Sequence, residues 1–426
     1  MGWITPLGHE IEAVWKRLLA GHSGIALTTL FDASTFPTTF AAEVRDFRLE
    51  DFLGEAYPAH ADASRNTSFA LGAAKLAWTQ AGLDRADNLD PTMVGVYLGG
   101  GEGPLDFDNF VEAAVRGWDR QANAGRGGLD AVKWYEVAHR KLSPVNELEQ
   151  DPNMAAGHIA ALFNAQGPNC NTLTACAAST QALGEATCII RRGDAEVMIS
   201  GGTHSMIHPF GTTGFNRLAA LSVRNDNWSA ASRPFDRTRD GFVLGEGAGV
   251  VILEELAHAR ARGAKIMAEI TGFGSTADAF RITDIHEDGR GAIAAINDAL
   301  ADAGLKPEDI DYISAHGTST KENDKIESLA IGSVFQGEAR KVAISSIKGM
   351  MGHLIAAAGA VELITCVLAI RDGMIPPTIN YEHPDPNCDL DYVPNQARRH
   401  PVRHTLSNSF GFGGQNDTLI ICAYGG

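Results

Sequence analysis

What this chain of 426 residues lacks narrows the field first. It has only six cysteines, none in paired or metal-type spacing. Cys170 and Cys176 stand too far apart for a C-x-x-C, and no histidine cluster accompanies them. A disulfide scaffold and a zinc ribbon are thereby excluded, and a set of reduced thiols suggests the cytoplasm. No charged-then-apolar leader is legible. No apolar run approaches a membrane span, because Val361 to Ile370 and Val250 to Leu253 are too short or broken by charge. Basic charge is also scarce: 35 Lys and Arg stand against 52 Asp and Glu, a net charge of −17. That argues against nucleic acid or an acidic membrane as a main partner, yet leaves room for an acidic protein on a local basic patch. What remains, 44% hydrophobic and 20% charged residues, is the make-up of a soluble globular protein. The length suits two fused α/β halves with a large shared core.

Along the chain, Met1 to Gly8 reads as a turn with no strand before it. Glu10 to Ala20 has the apolar stripe of an amphipathic helix, and Phe69 to Ala81 is a second helix ending at Gly82. Val94 to Leu98 reads as a strand running into Gly99-Gly100-Gly101. Those glycines suit close backbone approach better than dinucleotide binding, since no G-x-G-x-x-G helix follows. Residues 103–139 mix aromatic, charged and Gly-rich pieces and read as an inserted lobe on which Trp118, Trp134 and Tyr135 pack. The second half repeats the plan. A helix from Gly291 to Ala303 ends at Gly304, a strand from Ile310 to Ser314 runs into Ala315-His316-Gly317, and Val342 to Ser345 precedes a helix from Leu354 to Ile370. Two related halves, 1–258 and 259–426, are expected.

The stretch Thr172 to Ser179 places Cys176 at a strand-to-helix turn, where unpaired N–H groups and the helix dipole favour a thiolate. A buried structural cysteine is the ordinary alternative. Three second-half features bear on it. His316 stands at a strand end, Lys348 and His353 stand in Ser345 to His353, and Asn408 to Gly414 is a Gly-rich turn able to approach a ligand closely. Each alone has an ordinary structural reading. Together they occupy strand-to-helix junctions, where α/β sheets place active sites.

These motifs, with Arg233-Pro234-Phe235-Asp236 and Asp240 to Gly249, resemble the β-ketoacyl-acyl-carrier-protein synthases of the thiolase superfamily, most closely the type II elongating class. The resemblance runs from Gly2 to about Ile421. It implies an α/β thiolase fold whose two similar halves form a five-layered αβαβα core. It implies an acyltransferase, a 3-oxoacyl-[acyl-carrier-protein] synthase, that performs decarboxylative condensation with malonyl-acyl-carrier protein in fatty-acid elongation. Cys176 would carry the acyl chain, backbone N–H groups of Cys176 and Phe410 would form the oxyanion hole, and His316 and His353 would grip the malonyl thioester. Lys348 would fix the histidines. Thr318, Thr320 and Thr283 would bind the pantetheine arm, with Leu98, Phe215 and Phe410 lining or gating the acyl tunnel. Arg140, Lys141, Arg217 and Arg224 would dock acyl-carrier protein, the cluster expected near residue 65 being reduced to Arg65. No metal or organic cofactor is implied, and a homodimer is expected.

Three departures from the family pattern stand out. The family opens with a strand before the Met-Gly turn, so Met1 is expected to be an internal methionine. The 103–139 lobe is longer than its counterpart by roughly twenty residues, and Gln415 replaces the usual threonine. These keep other readings open: a polyketide or specialised-lipid ketosynthase, or an inactive chain-length-factor-like partner or scaffold. A coenzyme A thiolase is disfavoured, because none of Cys366, Cys388 or Cys422 sits in a Gly-rich motif.

Overall fold

Two five-stranded sheets organise the chain. The computed structural model describes residues 1–86, 89–101, 103, 105–283 and 285–425. The first sheet contains β1 (Gly2–Ile4), β2 (Val94–Gly100), β3 (Asn169–Thr172), β4 (Val197–His204) and β5 (Gly247–Glu254). Its order is β1-β5-β4-β2-β3. The second contains β6 (Glu269–Ala277), β7 (Tyr312–Ser314), β8 (Ala343–Ser345), β9 (His404–Gly411) and β10 (Gln415–Cys422). Its order, β6-β10-β9-β7-β8, is the same plan shifted along the chain. In each sheet the second strand runs parallel to the third and fourth, while the fifth is antiparallel to the first and fourth.

Helices α1 (Arg65–Ala81) and α2 (Met154–Phe163) cover the outer face of the first sheet. Helix α3 (Ala178–Arg191) touches both sheets from between them. After α4 (Arg290–Ala303) and α5 (Lys321–Phe335), helix α6 (Ala358–Asp372) joins α3 in that middle layer. Helix α4 packs on β6 and β10, with α5 beside it. The result is the five-layered α/β arrangement that the resemblance implies. Every residue of α6 from Ala358 to Ala369 is buried, as a helix with neighbours on all sides must be. The middle helices meet closely: a Cβ added at Gly359 would stand 2.1 Å from Thr180 Oγ1.

A similar contact fixes the second outer layer. A Cβ at Gly274 in β6 would come within 2.1 Å of the Ala295 carbonyl oxygen on α4. Gly274→Ala is therefore expected to lower stability by about 1–3 kcal/mol through overpacking. Urea denaturation reads this directly, and an unchanged midpoint would mean that the helix shifts aside without strain.

Two expectations are corrected. The first residues are not a bare turn: Gly2 to Ile4 pair antiparallel with Val250 to Ala248, and Trp3 and Ile4 are fully buried. In the inserted lobe, helices Phe107–Arg116 and Ala131–Lys141 enclose a small core of Ala113, Val137 and Ala138, with Trp134 against it. Trp118 and Tyr135, however, are 54% and 59% exposed. The lobe is too thin to cover them. No helix among the described residues is long and apolar enough to cross a membrane.

Candidate active site

Three loops leaving the same ends of the parallel strands build the site. Cys176 follows β3, His316 follows β7, and Lys348 and His353 follow β8. Cys176 sits in the short 3-10 turn Ala175–Ala177 that leads into α3. Ala175, which opens this turn, has φ +48°, and the second half repeats the device with Ile355 at φ +47° opening the turn Ile355–Ala357 before α6. Backbone strain of this kind holds a side chain where a relaxed turn would not. By this correspondence Ala356 occupies the second half's place for Cys176, so of the two equivalent turns only the first carries a thiol.

The loops converge. Cys176 Sγ and one ring nitrogen from each of His316 and His353 lie within 4.8 Å of one another, and all three residues are buried. They line a cavity of about 440 Å³ together with Thr283, Thr318, Thr320, Phe410 and Phe412. The hydroxyls of Thr318 and Thr320 are 2.9 Å apart.

Hydrogen bonds fix what each imidazole offers. Lys348 Nζ donates to His316 Nδ1 at 3.5 Å, and the Ile355 backbone N–H donates to His353 Nδ1 at 3.2 Å. Each Nδ1 is thus an acceptor, which leaves the proton on Nε2. Burial, with Lys348 nearby, holds both rings well below the usual histidine range, so they are neutral N–H donors near pH 7. A metal would need the Nε2 lone pairs, and hence Nδ1–H groups facing the Lys348 and Ile355 donors. The donor pattern opposes that tautomer.

Two carboxylates that sequence reasoning missed support this arrangement. Glu362 on α6 pairs with Lys348, both fully buried. Burial pushes the Glu362 carboxyl up while the Lys348 ammonium pulls it down. Glu327 on α5 accepts the backbone N–H groups of His316 and Gly317, each at 2.8 Å, and is reached by Asn408 Nδ2 at 3.3 Å. For Glu362 the signal was a lone acid in an otherwise apolar, buried helical run.

Three sequence expectations change here. Burial pushes the Cys176 thiol up to about 12, and the Lys348 charge and the backbone N–H groups of Phe412 and Cys176 lower it only in part. The free protein therefore holds a thiol, not the thiolate expected from the helix start. Alkylation of Cys176 by iodoacetamide should quicken about tenfold per pH unit from pH 6 to 9. A plateau below pH 8 would show the helix start outweighing burial. Secondly, the backbone N–H groups turned on this sulfur belong to Cys176 and Phe412, not to Phe410. Gly411 makes that possible, since a Cβ there would stand 3.2 Å from the Cys176 nitrogen. Phe410 is a buried ladder residue edge-on to His316 at 5.8 Å, whereas Phe412 is only half-buried in the turn. Thirdly, Leu98 does not line the cavity; it is fully buried in the core under α1 and α2. Phe215 does pack against the apolar cluster of Cys176, Ile207, Leu221, Phe242, Leu244 and Ile355.

The basic residues scatter. Arg140 and Lys141 lie exposed on the inserted lobe, away from the cavity, with Lys141 paired to Glu112 at 3.3 Å. Arg217 is exposed beside the rim residue Leu218. Arg224 is half-buried and donates to the Thr238 carbonyl at 2.7 Å, while Arg65 is bound to buried Glu246. Lys321, not singled out from sequence, is exposed at the cavity wall.

Residues 1–259 match the model of the β-ketoacyl synthase N-terminal domain, and residues 267–382 match that of the C-terminal domain. The chain belongs to the β-ketoacyl synthase family. Among curated relatives of this synthase, the 3-oxoacyl-[acyl-carrier-protein] synthase 2 of Coxiella burnetii is 43% identical over 425 residues, covering 99% of this chain and 96% of that one. The protein of the same name from Synechocystis is 44% identical over 424 residues, covering 100% and 97%. Among solved structures, a type II polyketide ketosynthase bound to its acyl-carrier protein aligns with TM-score 0.85 at 34% identity, over 99% of this chain and 97% of that one.

Proposed function

We propose that this synthase extends acyl chains by two carbons, as a 3-oxoacyl-[acyl-carrier-protein] synthase of fatty-acid elongation. The observation that carries the reading is the meeting of one thiol with two neutral imidazoles whose Nε2–H groups are donors. In the first half-reaction Cys176 sulfur bonds to the acyl carbon, the carrier sulfur leaves, and the thiol proton passes to it. The Cys176 and Phe412 N–H groups stabilise the tetrahedral oxyanion. In the second, the malonyl C–C bond breaks, carbon dioxide departs, and the electron pair moves onto the thioester oxygen as an enolate held by His316 and His353. The enolate carbon attacks the acyl-cysteine, and the Cys176 sulfur leaves and is reprotonated. Lys348, tied to Glu362, acts by positioning His316. Residues on this chain suffice for each step, so a cofactor is not part of the proposal.

The partner in this reading is acyl-carrier protein, which the curated relatives' names and the polyketide complex support. Arg217 and Lys321 flank the cavity mouth and suit an acidic carrier better than Arg140 and Lys141 do. Arg217→Glu with Lys321→Glu should raise KM for carrier-bound substrate by about tenfold while leaving turnover of free pantetheine thioesters unchanged; an equal loss on both would remove docking from the account. A homodimer, working in a reducing cytoplasm, fits the open edge of β3, with Asn169 and Cys170 exposed, and the bare Trp118, Val132 and Tyr135. The function itself is tested by incubation with an acyl-carrier thioester and malonyl-carrier protein. A 3-oxoacyl product two carbons longer supports it, and a folded protein giving none refutes it.

A further inference from the structure

The first turn of α5 forms part of the wall of the cavity that holds Cys176, His316 and His353. Thr320 stands at the cap position of that helix, yet its side chain does not cap it. The Thr320 hydroxyl lies 2.9 Å from that of Thr318 instead, and both threonines line the cavity. One hydroxyl donates to the other, so a single O–H remains for whatever enters.

Asn323, three residues on, lines the same cavity and is only 7% exposed. Its Nδ2 donates to Asp324 Oδ1 at 3.1 Å. Asp324 is held in place: its carboxylate also accepts the backbone N–H groups of Ser319 at 3.2 Å and Phe235 at 2.7 Å, and faces Arg239 at 3.5 Å. A flipped Asn323 amide would set oxygen against oxygen, so the carbonyl is the end left over. That oxygen has no hydrogen-bond partner among the described residues. A buried acceptor left unpaired costs free energy, which an incoming N–H recovers. The condensation steps set out above make no use of it.

A hydroxyl donor and a carbonyl acceptor on one wall are the complement of a secondary amide, which brings a C=O and an N–H together. Acyl and malonyl groups carry no N–H. The pantetheine arm that delivers them carries two secondary amides. We propose that Asn323 is a substrate-positioning residue that accepts the N–H of one pantetheine amide while the threonine pair donates to that amide's carbonyl. The proposal rests on Cys176 taking its acyl group from a pantetheine thioester, as in the reading above. An arm held at both ends of one amide presents its thioester to Cys176 in a fixed orientation.

The test uses acyl-pantetheine thioesters in which each amide in turn is replaced by an ester, which keeps the carbonyl and removes the N–H. Acylation of Cys176 is followed by intact mass. Wild type should slow by roughly tenfold for one of the two replacements, the scale of one lost hydrogen bond. Asn323→Leu and Asn323→Ala should each slow the all-amide thioester by a similar factor and then be indifferent to that replacement. A merely structural asparagine would give losses that add. Wild type indifferent to both replacements overturns the proposal without any variant, and so do variants that still lose tenfold on the ester. Absence of acylation with every thioester would instead refute the nucleophile assignment beneath it.

Discussion

Cys176→Ala loses condensation by at least about 10³-fold yet keeps its ability to decarboxylate malonyl-carrier protein. The first loss follows because no other thiol stands in the cavity: Cys366 and Cys388 are buried in cores elsewhere, and Cys170 is exposed on the outer edge strand. The retained activity follows from how the imidazoles are held. His316 is fixed by Lys348 and by Glu327 through its backbone, and His353 by the Ile355 N–H and by a backbone bond to the Val243 carbonyl at 2.7 Å. None of these contacts involves the cysteine, and an alanine leaves the donors where they were. Release of carbon dioxide and formation of the 3-oxoacyl product, measured in the same reaction, separate the two effects. If both vanish together in a folded variant, the thiol organises the histidines and the division of labour is wrong.

Loss of an enolate donor has the next largest effect. His316→Ala and His353→Ala should each slow decarboxylation by about 10²–10³-fold, the range for removing one preorganised oxyanion donor. Transfer of the acyl group to Cys176 should survive, because the N–H groups that serve that step belong to Cys176 and Phe412. A double variant falling no further than either single one would show that the pair acts as a unit. Loss of acylation in either single variant, with decarboxylation unchanged, would reverse the assignment.

The strand-to-helix turn around Cys176 alone left a buried structural cysteine as the ordinary reading, and the second-half histidines and the family resemblance made the nucleophile legible. The histidines and Lys348 were legible from their strand ends together with the family resemblance. What stayed hidden was set by packing. The neutral thiol reflects burial by α6 and the second sheet, and no local pattern around Cys176 reports it. Phe410 and Phe412 lie two residues apart at a strand end, and only the start of the turn decides which N–H faces the sulfur. Strand β6 was overlooked because Gly272 and Gly274 weaken its pattern, yet both are required where α4 presses on it. Glu362 and Glu327 went unremarked in the sequence, although each anchors a member of the site. The two halves were readable from repeated helix ends, while the matching strand orders needed the sheets themselves.

The most direct measurement is intact-protein mass spectrometry after exposure to an acyl-carrier thioester, followed by peptide mapping of the adduct. The account predicts one acyl group per chain, carried on the peptide that contains Cys176 and released when malonyl-carrier protein is added. No adduct on the folded protein, or an adduct on exposed Cys170 in its place, would contradict it.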